Sequence, residues 1–330
     1  MWKAGVLLLT LLISDDKRVA RQQVQLEKMK NMPTGRYGMA AATDGKWIYA
    51  IGGYDYNRGM TNHVHGYAMA TEEWFSLRMS KKFTPKQYLL AAYIPKLNGV
   101  LMAGGVMHSN DDHADEICRN PDIEVFDIET KRTYYLAHNE NQAKLGGMAY
   151  QDGKLYLFGG SMDITNEQRR KPKIHYSSAF TSYDLKTKEW TILPNLPRAM
   201  ETNGAFVGEY LYVFGGYNGE PHDDIYRYHL SEKTWEHIGG FETPLSAHAV
   251  VNYGKYILLA GGYTLHGRLI VFDTGSFEWT EYEANYADRP MLAVVQGNTM
   301  YVMGGSNDNH GLNINRHVYQ INLDKLINKK

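Results

Sequence analysis

Disulfide chemistry is excluded within this chain, because Cys118 is the only cysteine among its 330 residues. No Asn-x-Ser/Thr acceptor occurs, so N-glycosylation has no site. A formal net charge of -1 removes the overall basic field by which a protein is drawn to nucleic acid or to anionic lipid, leaving only local patches to act through charge. Long apolar runs are missing too. The longest, "AGVLLLTLLI" after Lys3, is too short to span a bilayer but has the length of a signal-peptide core. It is followed by Asp15 and Asp16 rather than a small-residue cleavage site, so a secreted or periplasmic location is weighed against a cytoplasmic one. Residues 1–21 are therefore expected to be a signal-like or disordered N-terminus.

What the chain does contain is an apolar fraction of 43% with 12% aromatics, enough to bury a large core. It also repeats itself. Apolar runs end in a diglycine six times: "WIYAIGG" at Gly53, "VLMAGG" at Gly105, "LYLFGG" at Gly160, "LYVFGG" at Gly216, "YILLAGG" at Gly262 and "MYVMGG" at Gly305. The spacings of 52, 55, 56, 46 and 43 residues are those of four-stranded propeller blades with loops of varying length. Before each diglycine lie a shorter apolar run and a turn signal such as Asp44-Gly45, Asn98-Gly99 or Asp152-Gly153, which reads as a hairpin. After it come an alternating segment with an aromatic residue and a fourth segment opening at Trp74, Trp190, Trp235 or Trp279. Four short strands per repeat, six times over, predict an all-β, six-bladed propeller across residues 22–326, with 327–330 as a tail. A β-carbon at the strand ends near the axis would obstruct the turn and the neighbouring chain, which accounts for the glycines. The rings fill the wedges between blades.

Gly215-Gly216, Tyr228 and Trp235, repeated as Gly261-Gly262, Phe272 and Trp279, resemble the kelch-repeat family over about residues 24–324. Blade two departs from the pattern, with Thr133 and Tyr134 where the Trp belongs. The last repeat ends after "VYQINL" without a fourth strand, and "QVQLEKM" near the N-terminus is expected to supply it, placing Val24 near the Trp position of blade six. The propeller consumes residues 24–324, which argues against the multi-domain ubiquitin-ligase adaptors.

In a four-stranded blade, the links after the diglycines and the links between blades emerge on one face, where function is sought. The resemblance implies ligand binding there by arginines and aromatics around a central depression, pointing to Arg36, Arg289, Tyr54, Tyr217 and Tyr263. Lys144 and Glu201, which lead into inner strands, join them. Arginine supplies a rigid donor fork for carboxylates, and tyrosine a stacking face with a polar tip. Histidines accompany every post-diglycine loop (His63, His108, His175, His222, His266 and His310). His108 and His113 lie among Asp111, Asp112, Asp115 and Glu116, but the spacing matches neither a zinc motif nor an EF-hand, and no metal is expected. The basic run Arg169, Arg170, Lys171 and Lys173 reads as a counterweight to that acidic loop, and no nucleic-acid partner is expected.

Two enzyme types use kelch-like propellers. The galactose-oxidase type needs a cysteine–tyrosine cross-link, for which Cys118 in a variable loop offers no setting. The sialic acid mutarotase type resembles this chain more closely, since Arg268 follows Gly262 by six residues as that family's arginine follows its catalytic glutamate. Here Gly262 occupies the place of the acid, and Glu201 or Glu220 would have to replace it. The expectation is a monomeric, cofactor-free binding module that recognises a protein segment or a glycan through the loop face. An exported sugar mutarotase is the alternative.

Overall fold

A computed structural model describes residues 22–78, 82–108, 117–139, 143–164, 173–263, 267–286, 292–306 and 313–328. Each blade is an antiparallel meander. Blade one runs Ala40–Thr43, Trp47–Ile51, Val64–Ala68 and Glu73–Leu77. Blade two runs Leu90–Ile94, Gly99–Ala103, Asp122–Asp127 and Thr133–His138. Blade three runs Gly147–Gln151, Lys154–Phe158, Phe180–Asp184 and Trp190–Ile192. Blade four runs Glu201–Val207, Tyr210–Tyr217, Pro221–His229 and Thr234–Gly240. Blade five runs Ala249–Tyr253, Tyr256–Ala260, Arg268–Asp273 and Trp279–Ala284. Blade six takes Leu292–Gln296, Thr299–Met303 and Val318–Asn322 from the end of the chain and Glu27–Lys28 from its beginning. The first strand of every blade packs on the first strand of the next, and blade six returns to blade one. The ring of six is closed.

The apolar strands are buried because every blade presses a face against each neighbour, and the core is accordingly divided into six clusters, one per junction. Between blades three and four, for example, Phe158 and Phe180 meet Val213, Tyr226 and Tyr228. The motif tryptophans reach back across these junctions. The Trp235 ring lies 5.0 Å from Tyr228 in its own blade and 5.6 Å from Phe180 in the preceding one, and its indole N–H donates to the Pro194 carbonyl. Blade two has Tyr134 opposite Val125 instead, and both Tyr134 and Tyr135 are exposed.

The diglycines sit where two blades touch. Gly216 N–H donates to the Leu245 carbonyl at 2.8 Å, and the same latch recurs from Gly53 to Lys86, Gly160 to Met200 and Gly305 to Arg36. Gly215 has φ +50°, and a β-carbon there would stand 2.2 Å from the Leu245 carbonyl oxygen, closer than any contact between non-bonded heavy atoms. Left-handed backbone is costly for a side chain, and the obstacle is main chain that cannot rotate away. Gly215→Ala is expected to cost on the order of 2 kcal/mol, read as a lower denaturant midpoint with the slope unchanged. An unaltered midpoint would contradict this account of the motif.

The N-terminal segment closes the ring, although Val24 is not at the Trp position. Gln22–Val24 lies parallel to Tyr282–Ala284 as a fifth strand of blade five, with Val24 opposite Ala284. The chain then passes Leu26, which exchanges two hydrogen bonds with the Asn285 side chain, and pairs Glu27 with Gln320 and Lys28 with Tyr319 in blade six. Leu26 is the buried residue beside this pair. A helix over Leu323–Ile327, not foreseen from the sequence, buries Leu323 and Leu326 against blades five and six. The signal-like run lies outside the described residues.

Candidate functional site

The inner strands leave a cavity of about 210 Å3 on the axis, walled by small and apolar residues such as Ala40, Ala91, Ala249 and Ala293. Its polar lining includes Arg36, Tyr37, Tyr88 and His248 from the segments leading into those strands, and Glu201 and Asn203 from the first strand of blade four itself. Aligning the blades on the pairs Ala40–Ile51, Leu90–Ala103, Gly147–Phe158 and Ala249–Ala260 puts Gly38, Tyr88, Leu145 and Ala247 at one equivalent position. All four have φ between +52° and +60°. The fold demands left-handed backbone there, yet three blades carry a side chain, and Tyr88 brings a phenol to the cavity in a conformation that bulky residues avoid. In blade four the pairing register shifts between Glu201 and Asn203, removing that residue and setting Glu201 opposite Tyr217.

Tyr37 ties the aromatic part together, its ring 5.4 Å from Tyr54 and 6.1 Å from Tyr88. Burial raises the Tyr88 phenol well above its ordinary pKa, and Tyr37 and Glu201 add to the shift, so it stays a protonated donor. Glu201 accepts a 2.5 Å hydrogen bond from the Ser161 hydroxyl. His248 is buried, and among the described residues neither ring nitrogen has a hydrogen-bond partner. Burial, followed by the charge of Arg268, lowers its pKa to about 3, so it is neutral at physiological pH.

The ligand-binding candidates from the sequence that lie among the described residues fall into four groups. Arg36 and Glu201 line the cavity. Lys144 pairs with Ser161 beside the lining residues Leu145 and Gly146, and Tyr54 stacks on Tyr37. Tyr217 and Tyr263 stand exposed on the loop face, Tyr217 with its ring 6.1 Å from Tyr176. Arg268 is instead turned inward. Its Nε and Nη2 donate to the two Glu281 oxygens at 2.6 and 3.2 Å, and Nη1 donates to the Thr243 and Pro244 carbonyls, so its donor fork is occupied by the protein itself. This removes the feature that drew the comparison with sugar mutarotases. Arg289, His113, His266, His310, Asp111, Asp112, Asp115, Glu116, Arg169, Arg170 and Lys171 lie outside the described residues. Among the described residues no cluster of three or more His, Cys, Asp or Glu could hold a metal. Sequence reasoning missed Tyr37, Tyr88 and His248, although a blade-by-blade alignment of the residues just before each inner strand would have marked them.

Two family profiles together cover this ring. The KLHDC2/KLHL20/DRC7 Kelch-repeats domain matches residues 146–327, and the Attractin/LZTR1 beta-propeller matches residues 19–226. The chain belongs to the kelch-repeat β-propeller family. Among curated kelch relatives, human Kelch domain-containing protein 10 is 25% identical over 316 residues, covering 83% of this chain and 66% of the relative. Kelch-like protein 15 of Danio rerio is 27% identical over 228 residues, covering 63% of this chain and 35% of the relative. Putative protein tag-53 of Caenorhabditis elegans is 26% identical over 217 residues, covering 64% and 16%. The chain thus spans somewhat less than two thirds of the length of the human relative and far less of the others. As a kelch propeller it is, in general terms, a protein-interaction module.

Proposed function

We propose that this kelch propeller holds an extended segment of a protein partner across its loop face, with one side chain of that segment seated in the axial cavity. The size of the cavity is the observation that carries the reading. At about 210 Å3 it is smaller than the roughly 300–1,000 Å3 of typical small-molecule pockets. It suits one side chain better than an oligosaccharide. In the loops after the diglycines the exposed rings of Tyr56, Tyr217 and Tyr263 offer apolar area with polar tips, the composition enriched at protein contacts.

A peptide array read beside a glycan array tests this. Peptide binding is expected, weakened about tenfold or more in the Tyr217→Ala/Tyr263→Ala double variant, since truncation of aromatic anchors commonly costs about 2 kcal/mol. Both substitutions are on the surface, so folding is undisturbed. Glycan binding without peptide binding, or accelerated anomer exchange of N-acetylneuraminate by proton NMR, would overturn the proposal.

A further inference from the structure

The outermost strand of a blade is a sheet edge, and its outward N–H and C=O groups form a template for a further strand unless something guards them. Five of the six edges are guarded. Blade five is covered by Gln22–Val24, which pairs with it in parallel, and the Gln23 side chain donates to Glu283 at 2.7 Å. The same N-terminal segment makes the two-residue edge of blade six and runs beside blade one, where the Lys30 carbonyl accepts the Trp74 indole N–H. The edge of blade three is three residues long and is soon followed by Pro194. That of blade four is bent by a register shift, carries Glu236 paired with Arg227, and ends in Gly239-Gly240.

Blade two differs. Its edge, Thr133–His138, is six residues long, contains neither proline nor an acidic residue, and has Tyr134 where four other blades place a tryptophan. Among the described residues no strand covers it. Its own register shift falls at Leu136, so Thr133, Tyr134 and Tyr135 keep regular pairing, the same length that Gln22–Val24 spans on blade five. Tyr134 and Tyr135 are 38% and 59% exposed and point to opposite sides of the strand. On the side of Tyr135 the surface continues onto blade three. Burial raises the pKa of the Tyr183 phenol there and Tyr135 adds to the shift, so the two phenols are neighbours. Ile192 lies opposite Thr181, whose hydroxyl accepts from the Asn139 side chain of blade two at 3.5 Å. Ile192 therefore faces the same junction, and it is 81% exposed.

We propose that this edge receives an extended segment of a protein partner as a fifth strand of blade two, with apolar residues beside Tyr134, Tyr135 and Ile192 and an acidic residue beside Arg132, which is exposed at the start of the strand. Size favours a segment over a second copy. Six residues give an edge of about 20 Å. The rim of a propeller curves away on both sides of such a line, so two copies meeting there would bury far less than the roughly 1,200–2,000 Å2 of a stable interface. A single strand needs no more than the edge, because main-chain hydrogen bonds supply its affinity and the flanking side chains its specificity. The rim is separate from the loop face, and this surface stands or falls independently of the reading above.

The probes are capped eight-residue peptides in which valine alternates with threonine, ending in aspartate or in lysine. The aspartate peptide is expected to bind, to slow amide exchange at Thr133–Tyr135, and to exceed the lysine peptide by about two- to fivefold, the size of an exposed ion pair. Arg132→Glu is expected to reverse that preference. Proline at the centre of the peptide removes a ladder donor and is expected to weaken binding about tenfold. Tyr135→Lys and Ile192→Lys, both at exposed positions, are each expected to weaken it about threefold or more through lost cross-strand contact. The Tyr217→Ala/Tyr263→Ala double variant is expected to bind these peptides as wild type does. Unchanged amide exchange at Thr133–Tyr135 with every peptide, or affinities indifferent to the proline and to both lysine variants, would overturn the proposal. So would a concentration-dependent dimer seen by sedimentation and lost in Tyr135→Lys, which would assign the edge to a second copy.

Discussion

Deletion of residues 22–30 is expected to abolish cooperative folding of the propeller, leaving a protein that aggregates or melts far below the intact one. This short segment fastens three blades. Gln22–Val24 covers the outer edge of blade five, and Glu27–Lys28 completes blade six. The Lys30 carbonyl accepts the Trp74 indole N–H in blade one, and the Lys30 ammonium pairs with Glu73. Without the segment, the strand Val318–Asn322 becomes an open edge with unpaired backbone groups, a template for association between chains.

The packing loss points the same way. Val24 and Leu26 are buried in the junction between blades five and six, and each contributes about 1.5–3 kcal/mol by burial. Whole domains are stable by only about 5–15 kcal/mol, so these two side chains together with the lost pairing are a large fraction of the total. Leu26→Ala is the milder companion, expected to cost about 2–5 kcal/mol while remaining soluble. Thermal melts and size-exclusion chromatography read both proteins. A deletion variant with an unchanged melting curve would show that the ring is held shut elsewhere.

Most of this architecture was legible because its determinants are local and repeated. The glycines, the hairpin turns and the aromatic positions each mark a place in every blade, and their spacing gives the count of six. Ring closure was legible as well, since a repeat short of one strand and an unassigned "QVQLEKM" require each other. The position of Val24 was not. It depends on Asn285, whose side chain both donates to and accepts from Leu26 across 259 residues of sequence, dividing the segment between two blades. No periodicity carries such a contact.

The site was less legible for a related reason. Arg36 and Arg268 look alike as arginines near the loop face, and only the folded register sets Glu281 against one of them and, among the described residues, no carboxylate in contact with the other. Tyr88 was hidden because its approach to the axis follows from a left-handed residue before the inner strand, which blade one meets with Gly38 and blade two with a phenol. The candidate site thus lies where blades that share one pattern differ from one another.

His248 is such a difference, and its replacement by leucine is expected both to stabilise the protein and to change its response to acid. At the equivalent place blade one has Met39 and blade two Leu89, each buried in a junction cluster. His248 puts an imidazole there with both nitrogens unpartnered among the described residues, and a buried polar group left unsatisfied costs about 1–3 kcal/mol. His248→Leu should recover much of that near pH 7.5. The larger effect lies below. The unfolded chain takes up a proton at this histidine near its ordinary pKa of 6.5, whereas burial and the Arg268 charge keep the folded one neutral down to about 3. In that window the unfolded state binds more protons, so stability falls as pH falls, by about 1.4 kcal/mol per pH unit. The variant lacks this proton. The difference in unfolding free energy between variant and wild type should therefore widen from pH 6.5 downward, growing by on the order of 3 kcal/mol at pH 4. The depressed histidines His63 and His222 are common to both proteins and cancel in the difference. Denaturant titrations at half-unit pH steps measure it directly, and a constant offset between the two curves would mean that the His248 imidazole is solvated or paired in solution.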